Sequence, residues 1–100
     1  MFTGTLICDL LLGDVRSLKQ KRSVVRPLLA DLRRTFAVSV AEVGDTDLHR
    51  RAQVAVAHVS GQAGHVTEVL DACERLVAER PEFELLSTRR IMVAGDDVAG

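Results

Sequence analysis

Aromatic residues are nearly missing from this chain: three Phe, no Tyr and no Trp in 100 residues. Proteins that read RNA on an open β-sheet stack bases on strand aromatics. Here only Phe2 and Phe83 fall in predicted strands, and Phe2 lies on the face expected to be buried, which argues against that binding mode. Cysteine is scarce too. Cys8 and Cys73 stand far apart in apolar runs, with no CxxC and no Cys/His pair at zinc spacing. That predicts two reduced core thiols in a cytoplasmic protein rather than a disulfide framework or a metal site. No long hydrophobic run exists. The stretch Leu6–Leu12 contains Asp9, is too short to span a bilayer, follows no basic region and precedes no small-residue cleavage site. No membrane contact is expected, and with 7 Gly and 2 Pro the chain is neither collagen-like nor low in complexity.

What is present is ordinary globular composition, 47% hydrophobic and 27% charged. The length suits one domain with one modest core, placed at residues 1–94 and followed by a loose tail at 95–100. Phe2–Leu12 is rich in Leu, Ile and Thr and reads as a strand with its even positions buried. Ser17 with Gln20 forms a capping-box pattern that opens a helix to about Thr35. Leu18, Val25, Leu28, Leu29, Leu32 and Phe36 fall on one stripe of it. Pro27 points away from that stripe and predicts one bent helix, the alternative being a break into two. Strands are expected at Ala37–Val43 and Arg51–Ser60, joined by a wide hairpin loop. A second helix runs from about Gln62 to Arg80, and Pro81 stops it. Phe83–Val93 is the last strand, with a bulge expected near Ser87–Thr88.

The order β-α-β-β-α-β, with right-handed crossovers, gives an α+β fold: a four-stranded antiparallel sheet with both helices on one face, the ferredoxin-like sandwich. That fold hosts many unrelated functions and licenses no activity by itself.

Two segments carry a resemblance. Arg16-Ser17-Leu18-Lys19-Gln20-Lys21-Arg22 resembles the "RSLKEKR" signature of the YlxP-like family, a bacterial family of unknown function. Ser39-Val40-Ala41-Glu42-Val43-Gly44, followed by Asp47-Leu48 and Arg51-Ala52, resembles its second signature, "SVAEVG…DLWQRA". The helix at His65, Glu68, Val69 and Leu70 is similar as well, and the likeness extends to about Leu86. His49 stands where the family usually has Trp, and His58 where it usually has an apolar residue. The resemblance implies a ferredoxin-like fold, and a gene often placed beside translation initiation and ribosome maturation factors. It carries no catalytic residues.

Of the 13 cations, seven lie between Arg16 and Arg34, opposed there by Asp31 alone, so this stretch carries +6 and the rest of the chain −7. Arg16, Lys19, Lys21, Arg22, Arg26 and Arg33 are the candidate nucleic-acid contacts. Lys19, Arg22, Arg26 and Arg33 fall within about 60° on the helical wheel, a row suited to tracking phosphates. The alternatives are a solvated helix face and pairing with the acidic second helix. Glu42, Asp45 and Asp47 cluster near a turn, where capping, with Asp47 before Leu48-His49-Arg50 as its candidate, is favoured over a hard cation, and pairing with Arg50 or Arg51 across the hairpin is the alternative for Glu42. His49, His58 and His65 match no ligand spacing, and a hydrogen-bonded core role is expected for His58.

One sheet face would carry Thr5, Ile7, Ala41, Val43, Ala55 and Ala57, with too little charge for free solvent exposure. These six are the candidate interface of a homodimer, set against a monomer with a weakly apolar face. No nucleophile, base and orienting residue can be grouped, so no catalytic residue, cofactor or metal is expected. The reading that results is a non-enzymatic cytoplasmic accessory protein contacting structured RNA or a ribosomal particle through its first helix. A homo-oligomeric interaction module using the open sheet face is the alternative.

Overall fold

Alternation builds the first element. Strand β1, Phe2–Leu12, buries its even positions from Gly4 to Leu12 and leaves the odd ones half-exposed. The computed structural model describes residues 1–95, so the expected tail lies outside the described residues after Gly95. Helix α1, Leu18–Thr35, follows. The Ser17 hydroxyl accepts from the Gln20 amide at 3.1 Å, and the Gln20 side chain accepts from the Arg16 amide at 2.6 Å. The cap is therefore reciprocal, with its return bond one residue upstream of the usual place. The helix runs unbroken through Pro27, which lies on its exposed side. The alternative of two separate helices is thereby excluded.

Strands β2, Ser39–Val43, and β3, Arg51–Ser60, form the hairpin. Strand β2 begins two residues later than its sequence suggests, because the Ala37 carbonyl is bonded to the His58 ring at 2.7 Å. Gly44 ends it at φ +74°, a left-handed conformation that suits glycine. Helix α2 spans Ala63–Ala78 and strand β4 spans Phe83–Ala94. All strand pairs are antiparallel, in the order β2-β3-β1-β4. The result is the ferredoxin-like α+β sandwich.

The core is one cluster that joins the even face of β1, Val54 and Val56 of β3, Val25, Leu28 and Leu32 of α1, and Val66, Leu70, Cys73 and Val77 of α2. Two features position everything outside it. The first is a bulge in β4. The register against β1 shifts between Asp9 and Leu10, leaving Leu86 as the extra residue. Before it, the odd positions Phe83 and Leu85 pack on the core. After it, odd positions point the other way, so Ile91 and Val93 join the open face. The second is Gly4, where helix α2 presses closest. A Cβ there would lie 2.3 Å from Val66 Cγ1 and 2.9 Å from Leu70 Cδ1.

Gly4→Ala should therefore push α2 outward and destabilise the fold by about 1–3 kcal/mol. Adding Val66→Ala should return part of that loss. Urea unfolding of the single and double variants checks the pair, and an additive double variant would remove the close-contact explanation.

Candidate functional site

The cations expected on one face of α1 separate into two groups. Lys21 is 2% exposed, and its ammonium lies 2.8 Å from Glu42 Oε2 and donates to the Thr46 carbonyl at 3.1 Å. It cannot meet a phosphate, and its assignment as a nucleic-acid contact is corrected. Its position on the helix explains the error: Lys21, Val25, Leu28 and Leu32 share the buried stripe. Glu42 is thereby corrected too, since its partner is Lys21 and not Arg50 or Arg51. Arg51 pairs with Asp9 at 3.2 Å. Arg50 donates to the carbonyls of Leu12 and Gly13 at 3.2 and 3.0 Å.

Arg16 is solvent-exposed beside Asp14 at 3.3 Å, an exposed pair of little energetic weight. Arg33 donates to the Val40 carbonyl at 2.8 Å. Lys19, Arg22 and Arg26 remain. They are exposed, form no ion pair among the described residues, and with Ser23 and Pro27 line a shallow cleft of ≈ 440 Å³. The acidic second helix does not neutralise them. Its Asp71 and Glu74 instead hold Arg90 of β4 at 2.7 and 3.2 Å. One ion pair runs in the reverse sense, from Arg80, two residues beyond the end of α2, to Asp31 of α1.

The remaining candidates resolve simply. Asp45 Oδ1 accepts from the Asp47 amide at 3.1 Å, a local turn in which Asp45, not Asp47, does the capping. His58 is buried with its Nδ1 on Ala37, and the His65 ring stands against it edge-to-face at 5.3 Å. Sequence spacing gave no sign of that contact, because it joins a strand to a helix. Among the described residues no three His, Cys, Asp or Glu side chains converge as a metal site. Both thiols are buried. Burial, with Glu74 and Cys73 nearby, pushes Cys8 up to about 12, and burial pushes Cys73 up to about 11. Neither is a ready nucleophile near neutral pH.

The proposed interface residues lie where the alternation places them. Thr5, Ile7, Ala55 and Ala57 are half-buried in the two central strands, with Ala41 and Val43 beside them on β2. The largest apolar exposures on that face include, besides Val59, two residues of β4 that the alternation concealed. Ile91 is 54% exposed and Val93 41%, beside Val59 at 58%. The bulge at Leu86 hid them, since it inverts the alternation within one strand.

Taken together, these features define a small α+β sandwich with a cationic helix on one side and, among the described residues, an uncovered sheet on the other. Residues 3–90 match the family model described as "Protein of unknown function (DUF503)", and the chain belongs to that family. It is 30% identical over 86 residues to "Uncharacterized protein YlxP" of Bacillus subtilis (strain 168), covering 86% of this chain and 94% of that one. The two signature segments meet in the structure: Lys21 of the first is the buried partner of Glu42 in the second. Among the described residues no helix is long and apolar enough to cross a membrane.

Two outcomes follow from this geometry. Lys21→Met should cost about 3 kcal/mol by stranding the Glu42 carboxylate, and adding Glu42→Leu should recover much of it, as urea midpoints will show. The raised thiols bind protons more tightly folded than unfolded. Stability should therefore decline as pH rises from about 9 towards 12, measured as a falling urea midpoint that flattens in Cys8→Ala.

Proposed function

We propose that this protein is a non-catalytic cytoplasmic accessory protein that contacts structured RNA, free or within a ribosomal particle, through the outer face of α1. The observation that carries the reading is the set of three cations, Lys19, Arg22 and Arg26, that form no ion pair among the described residues and stand around one shallow cleft. At positions i, i+3 and i+7 they form a continuous row on one face. Arginine guanidiniums suit phosphate oxygens in particular, and the contacts would read backbone and shape rather than bases. The shortage of strand aromatics points the same way, since it leaves the sheet without a stacking platform. The gene neighbourhood implied by the family resemblance is in keeping with it.

The test is binding of a structured ribosomal RNA fragment across a salt series. The triple variant Lys19→Ala, Arg22→Ala, Arg26→Ala should weaken binding by at least about 100-fold at low salt. It should also flatten the plot of log affinity against log salt by about 2 to 3, close to one unit per lost phosphate contact. Equal affinity and slope in wild type and variant would sink the proposal.

A further inference from the structure

The open face of the sheet is lopsided. Its strands register in rows, so that Ser39, Ala57, Thr5 and Ile91 stand level across β2, β3, β1 and β4. The next row holds Ala41, Ala55, Ile7 and Arg89. Small residues therefore occupy the β2–β3 side and large ones the β4 side. The small side is hollow. A depression of ≈ 160 Å³ lies over Thr5, Ser39, Ala41, Ala55 and Ala57. A larger cleft of ≈ 490 Å³ opens at the sheet edge where β2 stops short of β3, walled by Phe36, Val38 and Val59 with Arg33 and His58 at its helix side. The knobs on the far side are Ile91 and Val93, each about half exposed among the described residues.

We propose that a second copy of this chain covers this face, related by a two-fold axis parallel to the strands. That operation lays β4 of each copy over β2 of the other and β1 over β3. Ile91 then stands above the second copy's Ser39, at the small depression. Val93, level with Thr3 and Val59, falls beyond the start of β2 and enters the larger cleft. The contact is isologous, so both copies fill both hollows. Charge agrees with the same axis. Arg89 faces Ala41, Asp9 faces Gln53, and Arg51 faces Leu11, so no like charges are opposed where the strands overlap, and Glu84, level with Leu11, falls beyond the end of β2 at Val43. An axis across the strands would set β2 on β2 and β4 on β4, leaving the hollows empty and crowding Ile91 or Arg89 against its own copy.

The size is adequate. With strands about 4.8 Å apart and rows about 6.8 Å apart, the face spans about 600 Å² in projection before side-chain relief. A standard interface buries about 800 Å² per partner. The interface is thus at the small end, and the packing is that of aligned sheets.

Sedimentation equilibrium up to about 1 mM reads the result, since even a weak complex populates there. The mass should climb from 10.9 kDa towards twice that value. The double variant Ile91→Asp, Val93→Asp should stay monomeric while keeping the wild-type far-UV spectrum. Facing sheets stand about 10 Å apart, too far for a disulfide, so a short bismaleimide reports the axis. It should link chains carrying both Ile91→Cys and Ser39→Cys but not Ile91→Cys alone; Cys8 and Cys73, at 0% exposure, do not compete. A wild type that stays monomeric, or a dimer untouched by the Asp variants, overturns the proposal. So does linkage through Ile91→Cys alone. The triple cation variant of α1 should dimerise normally, which separates this result from the RNA reading.

Discussion

Helices α1 and α2 both pack on the sheet face that carries the even positions of β1, α2 over β1 and β3 and α1 against β2, and one face of the sheet is all the cover they can give. The buried cluster lies entirely between that face and the helices. Gly4 shows how tightly the contact is drawn, since α2 occupies the space a side chain would need. Every other surface feature follows from this one-sided arrangement. Among the described residues nothing lies over the sheet's apolar back. The outer side of α1 is left to solvent and is free to collect charge. A buried face of this kind also fixes register strongly, because a one-residue slip would turn the whole apolar set outward.

The charge on α1 does two different things. A near-neutral total of −1 conceals a helix segment at +6 and a remainder at −7. Part of that positive charge is structural. Lys21 is spent inside, where its ammonium fastens α1 to Glu42 of β2 and to the Thr46 carbonyl of the following loop. A buried pair of this kind gives little net stability against an apolar substitute, and its recognised use is to fix one arrangement over others. Here it fixes the β2–β3 loop against the helix. Among the described residues Lys19, Arg22 and Arg26 have no such employment. Holding three mutually repelling cations on one solvated face has a small energetic cost, and a polyanion would convert it into a gain.

The order of elements was readable because each strand alternates and each helix carries a clean stripe. The cap at Ser17, the stop at Pro81 and the core placement of Cys8 and Cys73 came from local chemistry, and the structure bears them out. What stayed hidden was set by contacts between distant elements. Lys21 looks like its neighbours Lys19 and Arg22 in sequence. Its helical position beneath β2 separates it from them, and Glu42, 21 residues on, supplies the buried partner. Ile91 and Val93 look like core residues of an alternating strand until the extra residue Leu86 inverts the pattern. The wheel could have revealed Lys21, since it falls in step with Val25, Leu28 and Leu32. No local signal distinguishes a bulge at Leu86 from one at Ser87.

The two surfaces lie back to back, and that arrangement limits what they do together. In the two-fold pairing the sheets stand about 10 Å apart, with each helix layer about 10 Å further out. The two α1 rows thus face away from each other across roughly 30 Å of protein. One stretch of phosphate backbone cannot reach both rows without wrapping around the molecule. Pairing therefore adds little to the grip on a single short duplex, because the second row has no access to it. It gains only where two RNA segments, or two parts of one folded particle, approach from opposite sides. A dimer of this geometry joins two such segments rather than holding one more tightly, and a large folded RNA offers that geometry where an isolated hairpin does not.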